Sequence, residues 1–181
     1  STQQKFDLFN KAAPTAKTHL LLLTEKQKAD FQSHYHTQDS RIHMLPPGID
    51  ADRFQHLPAR SSAGIQQLRA ELGATSESFL LLQVGSDFKR KGVDRSLNAI
   101  AALPENIRSR CIFVVVGEDK PEPYQRLASR LGISDRVRFF SGREDINDLM
   151  IAADLLLHPA YQEAGGIVII EAIACGLPAI V

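Results

Sequence analysis

Four short apolar runs, Phe79–Val84, Cys111–Val116, Val137–Phe140 and Leu155–Leu157, are each separated by one segment with helical apolar spacing. Val93, Leu97 and Ile100 share one helix face. So do Tyr124, Leu127, Ala128 and Leu131, and then Ile146, Leu149, Met150 and Ala153. Strands joined through single helices need right-handed crossovers, and these lay the strands parallel with helices against the sheet. The punctuation agrees: Pro121 stands near one helix start, and Gly132 lies just past its end. Ile65 to Leu72 reads as a short helix stopped by Gly73, and Ala179–Val181 begins one more strand. Upstream, Leu20–Leu23 and Ile42–Leu45 are two further apolar runs. Thr24 and Gln27 follow the first at capping-box spacing, and Pro46-Pro47-Gly48 ends the second. Ala51 to Gly64 is polar and turn-rich, and reads as a surface linker.

Composition narrows the function classes. Twenty-one basic residues balance twenty-one acidic ones over 181 residues, which argues against a nucleic-acid partner. Cys111 and Cys175 stand far apart, without the clustering of a zinc site or disulfide framework, and read as reduced core thiols. The longest leucine run, Leu20–Leu23, is far short of the ~20 residues that span a bilayer. No signal peptide is visible. The chain starts without Met and stops inside an apolar run, so both ends read as cuts from a longer protein.

In parallel sheets, ligands bind in the crevice beyond the carboxyl ends of the strands. That directs attention to 85–92, 117–120, 141–144 and 158–166. The first segment, Gly85-Ser86-Asp87-Phe88-Lys89-Arg90-Lys91-Gly92, puts three consecutive cations beside a helix N-terminus. Free N–H groups and the helix dipole already favour an anion there. The turn reads as a diphosphate clamp or as a solvated basic turn. It has neither Walker A nor G-x-G-x-x-G spacing.

The stretch from His158 to Gly176 is the second candidate. Glu171 is the only charge between Ile167 and Cys175, a segment expected to be a buried helix stopped by Gly176 and Pro178. A lone carboxylate there needs a ligand or a basic partner. Gly165-Gly166 would let a phosphate or sugar approach the backbone closely. Glu163 precedes them, as a ligand contact or an exposed loop acid. Eight residues at helical rise put Glu163 and Glu171 up to ~12 Å apart, too far for a shared proton and suited to two ends of one extended ligand. Arg143, after Phe139-Phe140-Ser141-Gly142, stands near a base or phosphate or is a surface arginine. Glu118 and Asp119 lie at another strand end, and His158 reads as a structural histidine. His34, His36 and His43 lack metal-ligand company.

Glu163-x7-Glu171, followed by Ala172 to Pro178 as Ala-x-Ala-x-Gly-x-Pro, resembles the E-x7-E motif of retaining GT-B glycosyltransferases of family 4. Arg90-Lys91-Gly92 after Val84-Gly85 resembles that family's phosphate-binding turn, and Pro46-Pro47-Gly48-Ile49-Asp50 its interdomain segment. Closer still, QVGSDFKRKGVDRS, VVGEDKP, FFSGR and LLLHPAYQEAGGIVIIEA resemble the lipopolysaccharide core glucosyltransferases of Gram-negative bacteria.

The resemblance implies an α/β, Rossmann-like parallel sheet flanked by helices, the donor-binding half of a GT-B fold. Residues 1–17 would be the tail of the acceptor-domain or interdomain region. Residues 18–181 would be the nucleotide-sugar-binding domain, truncated at its C-terminus. The implied reaction moves glucose from UDP-glucose to the inner-core heptose of lipopolysaccharide, with no cofactor and no metal requirement. Arg90 and Lys91 would neutralise the diphosphate leaving group, and Glu163 would contact the donor sugar. Glu171 would accept hydrogen bonds from the ribose. Backbone N–H groups of Gly165, Gly166, Ile167 and Val168 would hold phosphate or sugar. Arg143 would lie against the uracil, and Gly85 and Ser86 would border the donor. Many family members carry Arg at the position of Ser86 and an aromatic at that of Gly165. The clamp here therefore relies on Arg90 and Lys91, and sugar specificity does not carry over from the wider family. The acceptor would be bound by a missing N-terminal domain, and this half alone would bind UDP weakly and transfer nothing. The implied location is cytoplasmic, with room for peripheral contact at the inner face of the inner membrane. A stand-alone nucleotide-binding module and a sugar-nucleotide epimerase of related fold are the alternatives.

Overall fold

The computed structural model describes residues 19–163 and 165–181. The tail expected over 1–17 lies outside them. The described residues form two compact units, 19–48 with 165–166 and 49–163 with 167–181. The nucleotide-sugar-binding domain expected over 18–181 takes in residues of both units. The division falls at Gly48 and Ile49, inside the segment whose resemblance is to an interdomain one.

In the first unit, β1 (Leu20–Leu22) pairs in parallel with β2 (Ile42–Met44), Leu20 opposite Ile42. Helix α1 (Glu25–Tyr35) joins them. Thr24 caps α1 by accepting from the Gln27 N–H at 3.2 Å. Gln27 reaches back to the Leu23 N–H at 2.8 Å, one residue earlier than a standard capping box. Leu20, Leu22 and Ile42 make a small core with Phe31 and Met44 against it.

The second unit is a five-stranded parallel sheet. Its strands are β3 (Phe79–Val84), β4 (Cys111–Val116), β5 (Val137–Phe140), β6 (Leu155–Leu157) and β7 (Ala179–Ile180), in the order β5-β4-β3-β6-β7. Its helices are α2 (Ala63–Glu71), α3 (Val93–Ala101), α4 (Glu105–Arg108), α5 (Glu122–Arg130), α6 (Ile146–Ala152) and α7 (Ile167–Ala174). Strand side chains alternate between faces. Leu80, Leu82, Ile112, Val114 and Val116 join a core with residues of α2 and α6. Leu81, Cys111, Phe113 and Val115 join a second core with Val93, Leu97 and Ile100 of α3 and Ala128 of α5. Covering both faces explains why β4 is apolar at every position, with Phe113, Val114 and Val115 wholly buried. Each such side chain contributes roughly 1.5–3 kcal/mol.

Two expectations change. Helix α7 forms, but Ala172 is its only buried residue among those described, while Ile167 and Ile173 are 50% and 66% exposed. A helix meets a sheet along one stripe, so an all-apolar sequence does not by itself bury every face. The segment 51–64 is also no free linker. Ala51–Phe54 forms a 3-10 turn, and Arg60 donates to the carbonyls of Ile151 and Ala153 and pairs with Asp154. Arg69 Nη1 reaches the same carboxylate at 3.1 Å, and the Leu80 N–H donates to it at 2.7 Å. Asp154 thus ties the amino ends of β3 and β6 together.

Cys111 and Cys175 are free thiols, and burial pushes both upward in pKa. Among the described residues, no helix is long and apolar enough to cross a membrane.

Candidate functional site

The sheet order sets where a ligand can bind. From β3 the chain builds outward through β4 to β5, then returns to place β6 on the other side of β3. That reversal makes the carboxyl ends of β3 and β6 the switch point, where the flanking loops diverge and open a crevice. The loop after β3 is the basic turn 85–92, and the loop after β6 carries His158 to Glu163. The two segments singled out in the sequence therefore meet at the one place where topology opens the sheet.

Their contact is close at the backbone. Gly92 has φ +70°, and a Cβ there would lie 2.2 Å from the Pro159 carbonyl oxygen. Only glycine fits, because of both the left-handed backbone and the approach. Gly117 likewise admits the Gly85 carbonyl, which would lie 2.4 Å from a Cβ. The Tyr161 N–H donates to the Arg90 carbonyl at 2.8 Å, and the Tyr161 hydroxyl donates to Asp94 at 2.8 Å. The Arg95 guanidinium lies 3.6 Å from the centroid of the Tyr161 ring, a cation–π contact. Beneath the turn, Phe88 is 1% exposed, and its N–H donates to Asp119 at 2.8 Å. Buried Gln83 donates to the Lys91 carbonyl at 2.7 Å and accepts from the Ser96 hydroxyl at 2.7 Å. Ser86 Oγ accepts from the Glu118 N–H at 3.1 Å, which ties the ends of β3 and β4.

The charged groups pair across the crevice. Lys91 Nζ stands 2.6 Å from Glu163 Oε2, and His158 Nε2 stands 2.5 Å from the same oxygen. Arg90 Nη1 donates to the Gln162 carbonyl at 3.1 Å, and its Nε to Asp87 Oδ2 at 3.1 Å. Asp87 has φ +62°, a left-handed backbone that Asp tolerates in turns. Helix α3 starts at Gly92 with no side chain capping its N-terminus. The turn therefore presents cations, a helix N-terminus and a carboxylate at one strand junction, which suits an anion joined to a polyhydroxylated group.

Glu171 lies on α7 with its side chain 18% exposed, less buried than its apolar neighbours suggested. Its Oε1 is 3.6 Å from Nη1 of Arg53, in the 3-10 turn of the supposed linker. Sequence reading missed Arg53, since nothing local distinguishes it from a surface arginine. His158, read as structural, is 3% exposed with its Nε2 against Glu163. The available signal was its place as the first residue after β6, five residues before that carboxylate. Gly166 has φ +62°. A Cβ on Gly165 would meet Leu23 Cδ1 at 3.3 Å and Pro47 Cβ at 3.7 Å. Ile167 is half exposed, while Val168 packs on the core.

Arg143 follows β5, two strands from β3 and so about 10 Å across the sheet. Asp145 grips it in a bidentate pair at 2.7 and 2.5 Å, and its guanidinium lies 5.1 Å from the Phe140 ring centroid. The Arg143 hydrogen bond holds the Asp145 carboxyl below its ordinary value, and the same bond raises Arg143. Arg143 is therefore apart from the Lys91–Glu163 cluster.

The chain is similar to known glycosyltransferases. Over 161 residues the chain is 55% identical to the lipopolysaccharide glucosyltransferase WaaG of Escherichia coli K12, covering 89% of this chain and 42% of that protein. It is 36% identical over 175 residues to a D-inositol 3-phosphate glycosyltransferase of Streptomyces scabiei, covering 90% of this chain and 38% of that one. The chain thus spans less than half the length of either relative. The crystal structure of WaaG superposes with a TM-score of 0.86 at 49% identity, over 98% of this chain and 47% of that one. Anabaena HepE in complex with UDP-glucose matches in fold, with a TM-score of 0.80 at 23% identity over 99% of this chain and 48% of that one. The model for glycosyl transferases group 1 matches residues 64–181, from α2 through the switch point to β7. With sheet, turn and E-x7-E segment all inside that match, the chain belongs to the group 1 glycosyl transferases.

Proposed function

We propose that this chain is the donor-binding part of a retaining glucosyltransferase that uses UDP-glucose to extend the inner core of lipopolysaccharide. The pairing of Lys91 with Glu163 at the β3–β6 switch point carries the reading, because it sets a phosphate-type cation and a sugar-type carboxylate side by side. The likeness to the lipopolysaccharide glucosyltransferase WaaG supports the choice of substrate class.

Lys91 and Arg90 neutralise the charge that develops on the departing UDP diphosphate, the main electrostatic demand of glycosyl transfer. Glu163 accepts hydrogen bonds from the donor sugar and favours positive charge at its anomeric carbon. Glu171 takes the ribose hydroxyls, with Arg53 as its partner until the donor arrives. Backbone N–H groups from Gly165 to Val168 face phosphate or sugar, Gly85 and Ser86 border the diphosphate, and Arg143 stacks on the uracil. Cations of the chain do the neutralising, and the reading requires no metal. The acceptor is an inner-core heptose at the inner membrane face, held by a part of the enzyme outside this sequence.

Titration calorimetry of UDP, ADP, GDP and UDP-glucose into the chain tests the reading. Uridine ligands are expected to bind most tightly, and Glu171→Gln to weaken UDP about 5–30-fold, the equivalent of one or two kcal/mol. Equal affinity for the three diphosphates, or an unchanged Glu171→Gln, would overturn the nucleotide assignment.

A further inference from the structure

An open cleft of about 570 Å³ lies in the second unit, between Tyr161 on the loop after β6 and Tyr124 in the first turn of α5. That is within the ~300–1,000 Å³ of clefts that take small ligands. The Tyr161 ring is 52% exposed, and Arg95 covers one of its faces. Its hydroxyl donates to Asp94 Oδ2 at 2.8 Å, which fixes the ring. Tyr124 stands edge-on to buried Phe88, with ring centroids 5.6 Å apart. Burial first, and then the carboxylates of Asp119, Asp94 and Asp87, push its phenol upward in pKa, so it stays a neutral donor. Two carboxylates of the lining, Asp87 and Asp94, are matched by two cations, Lys89 and Arg90.

We propose that this cleft is a saccharide subsite, which holds the sugar next to the one that receives glucose. Its place in the reaction rests on the donor-site reading given above. A lining whose charges cancel gives a phosphate or a metal ion no field to enter by. It suits a neutral ligand rich in hydroxyls. Fixed tyrosine rings offer apolar faces to the C–H side of a sugar ring and polar tips to its hydroxyls. The carboxylates accept, with about four lone-pair sites each, and the cations and the Gln162 amide donate. Asp87 is held by the Arg90 backbone N–H at 3.2 Å and its Nε at 3.1 Å, so that carboxylate is aimed before a ligand arrives. The position follows from the chain. Arg90 Nη1 meets the Gln162 carbonyl at 3.1 Å, and both residues line the cleft. The next residue of each loop is Lys91 or Glu163, one step of ~3.8 Å along the chain. The cleft is therefore a neighbour of the donor cluster, and its lining ends one residue short of it on both loops.

The experiment titrates the methyl glycoside of a heptose, inorganic phosphate and UDP into the chain and follows its backbone amides by proton–nitrogen NMR. The heptoside is expected to bind in about the millimolar range and to shift the amides of Asp94, Tyr124, Tyr161 and Gln162. Phosphate should leave those amides in place, and UDP should bind equally well with and without the heptoside. Tyr161→Ala removes a stacking face and should weaken the heptoside about fivefold or more, and Tyr124→Phe removes a hydroxyl and should weaken it about threefold. UDP affinity should stay within about twofold in both variants. Heptoside binding elsewhere or not at all, unchanged affinity in both variants, phosphate in the cleft, or competition between heptoside and UDP would each overturn the proposal and leave the donor site standing. No UDP binding by the wild type overturns the donor reading, and the cleft's place in the reaction with it. Should neither variant fold, the wild-type titrations decide by the amides they shift and by the presence or absence of competition.

Discussion

Replacing Glu163 with Gln should make the chain bind UDP more tightly, the reverse of what removing a binding residue usually does. Before the donor arrives, Lys91 is held 2.6 Å from Glu163 Oε2, with side chains 12% and 28% exposed. Two unit charges ~4 Å apart at an effective dielectric of ~20 attract by about 4 kcal/mol. Desolvation returns much of that, and a charge-assisted hydrogen bond is worth a net ~1.5–3 kcal/mol. A diphosphate that recruits Lys91 must give up this bond. Glutamine keeps an acceptor oxygen but removes the charge, so about 1–2 kcal/mol of competition disappears, a ~5–30-fold gain in UDP affinity. UDP-glucose gains the same from Lys91 but loses its carboxylate contact, so its advantage over UDP should shrink toward one. The variant should also melt ~2–4 °C lower for each kcal/mol of lost pairing, and added UDP should recover much of that loss. Calorimetry with both ligands reads the first effect and thermal melts the second. A UDP affinity that is unchanged or weaker in Glu163→Gln would refute the competition on which the reasoning rests.

Gly92→Ala should cost about 2 kcal/mol or more in urea denaturation, because the new Cβ meets both a left-handed backbone and the Pro159 carbonyl. A loss under about 0.5 kcal/mol, the range of an ordinary surface change, would refute the close approach of the two loops. Asp145 gives a pH signature. Its folded pKa lies below the ordinary 3.8 because Arg143 hydrogen-bonds to it, so its stabilising contribution is present above that value and is lost as pH falls through the folded pKa. The melting-temperature advantage of wild type over Asp145→Asn should therefore persist near pH ~6 and fade on acidification below pH ~4. An advantage that grows toward acid would show the pairing misassigned.

The parallel sheet was legible because every strand run in it is bounded by a helical segment, and β4 is apolar throughout, as burial on both faces requires. The basic turn and Glu163 were legible as sequence motifs, and the order of strands brings them together. Arg53 was not, since its significance comes from Glu171, more than a hundred residues later in the chain. The burial of His158 fits its reading as a structural histidine, but its contact with Glu163 becomes visible only once the surrounding atoms are placed. The apolar composition of α7 misled on burial, because periodicity cannot say which stripe of an all-apolar helix meets the sheet.

Asp154 gathers Arg60, Arg69 and the Leu80 N–H at the amino ends of β3 and β6, the far end of the sheet from Lys91 and Glu163. The same two strands thus carry one acidic hub at each end, with opposite obligations. The hub at the amino end ties the chain to itself, whereas under the proposed function the one at the carboxyl end gives up Lys91 to a ligand. A saturation screen scored separately for abundance and for donor binding should split along the strand axis. Changes at Asp154 would register as lost protein, and changes at Glu163 as protein that accumulates with altered affinity.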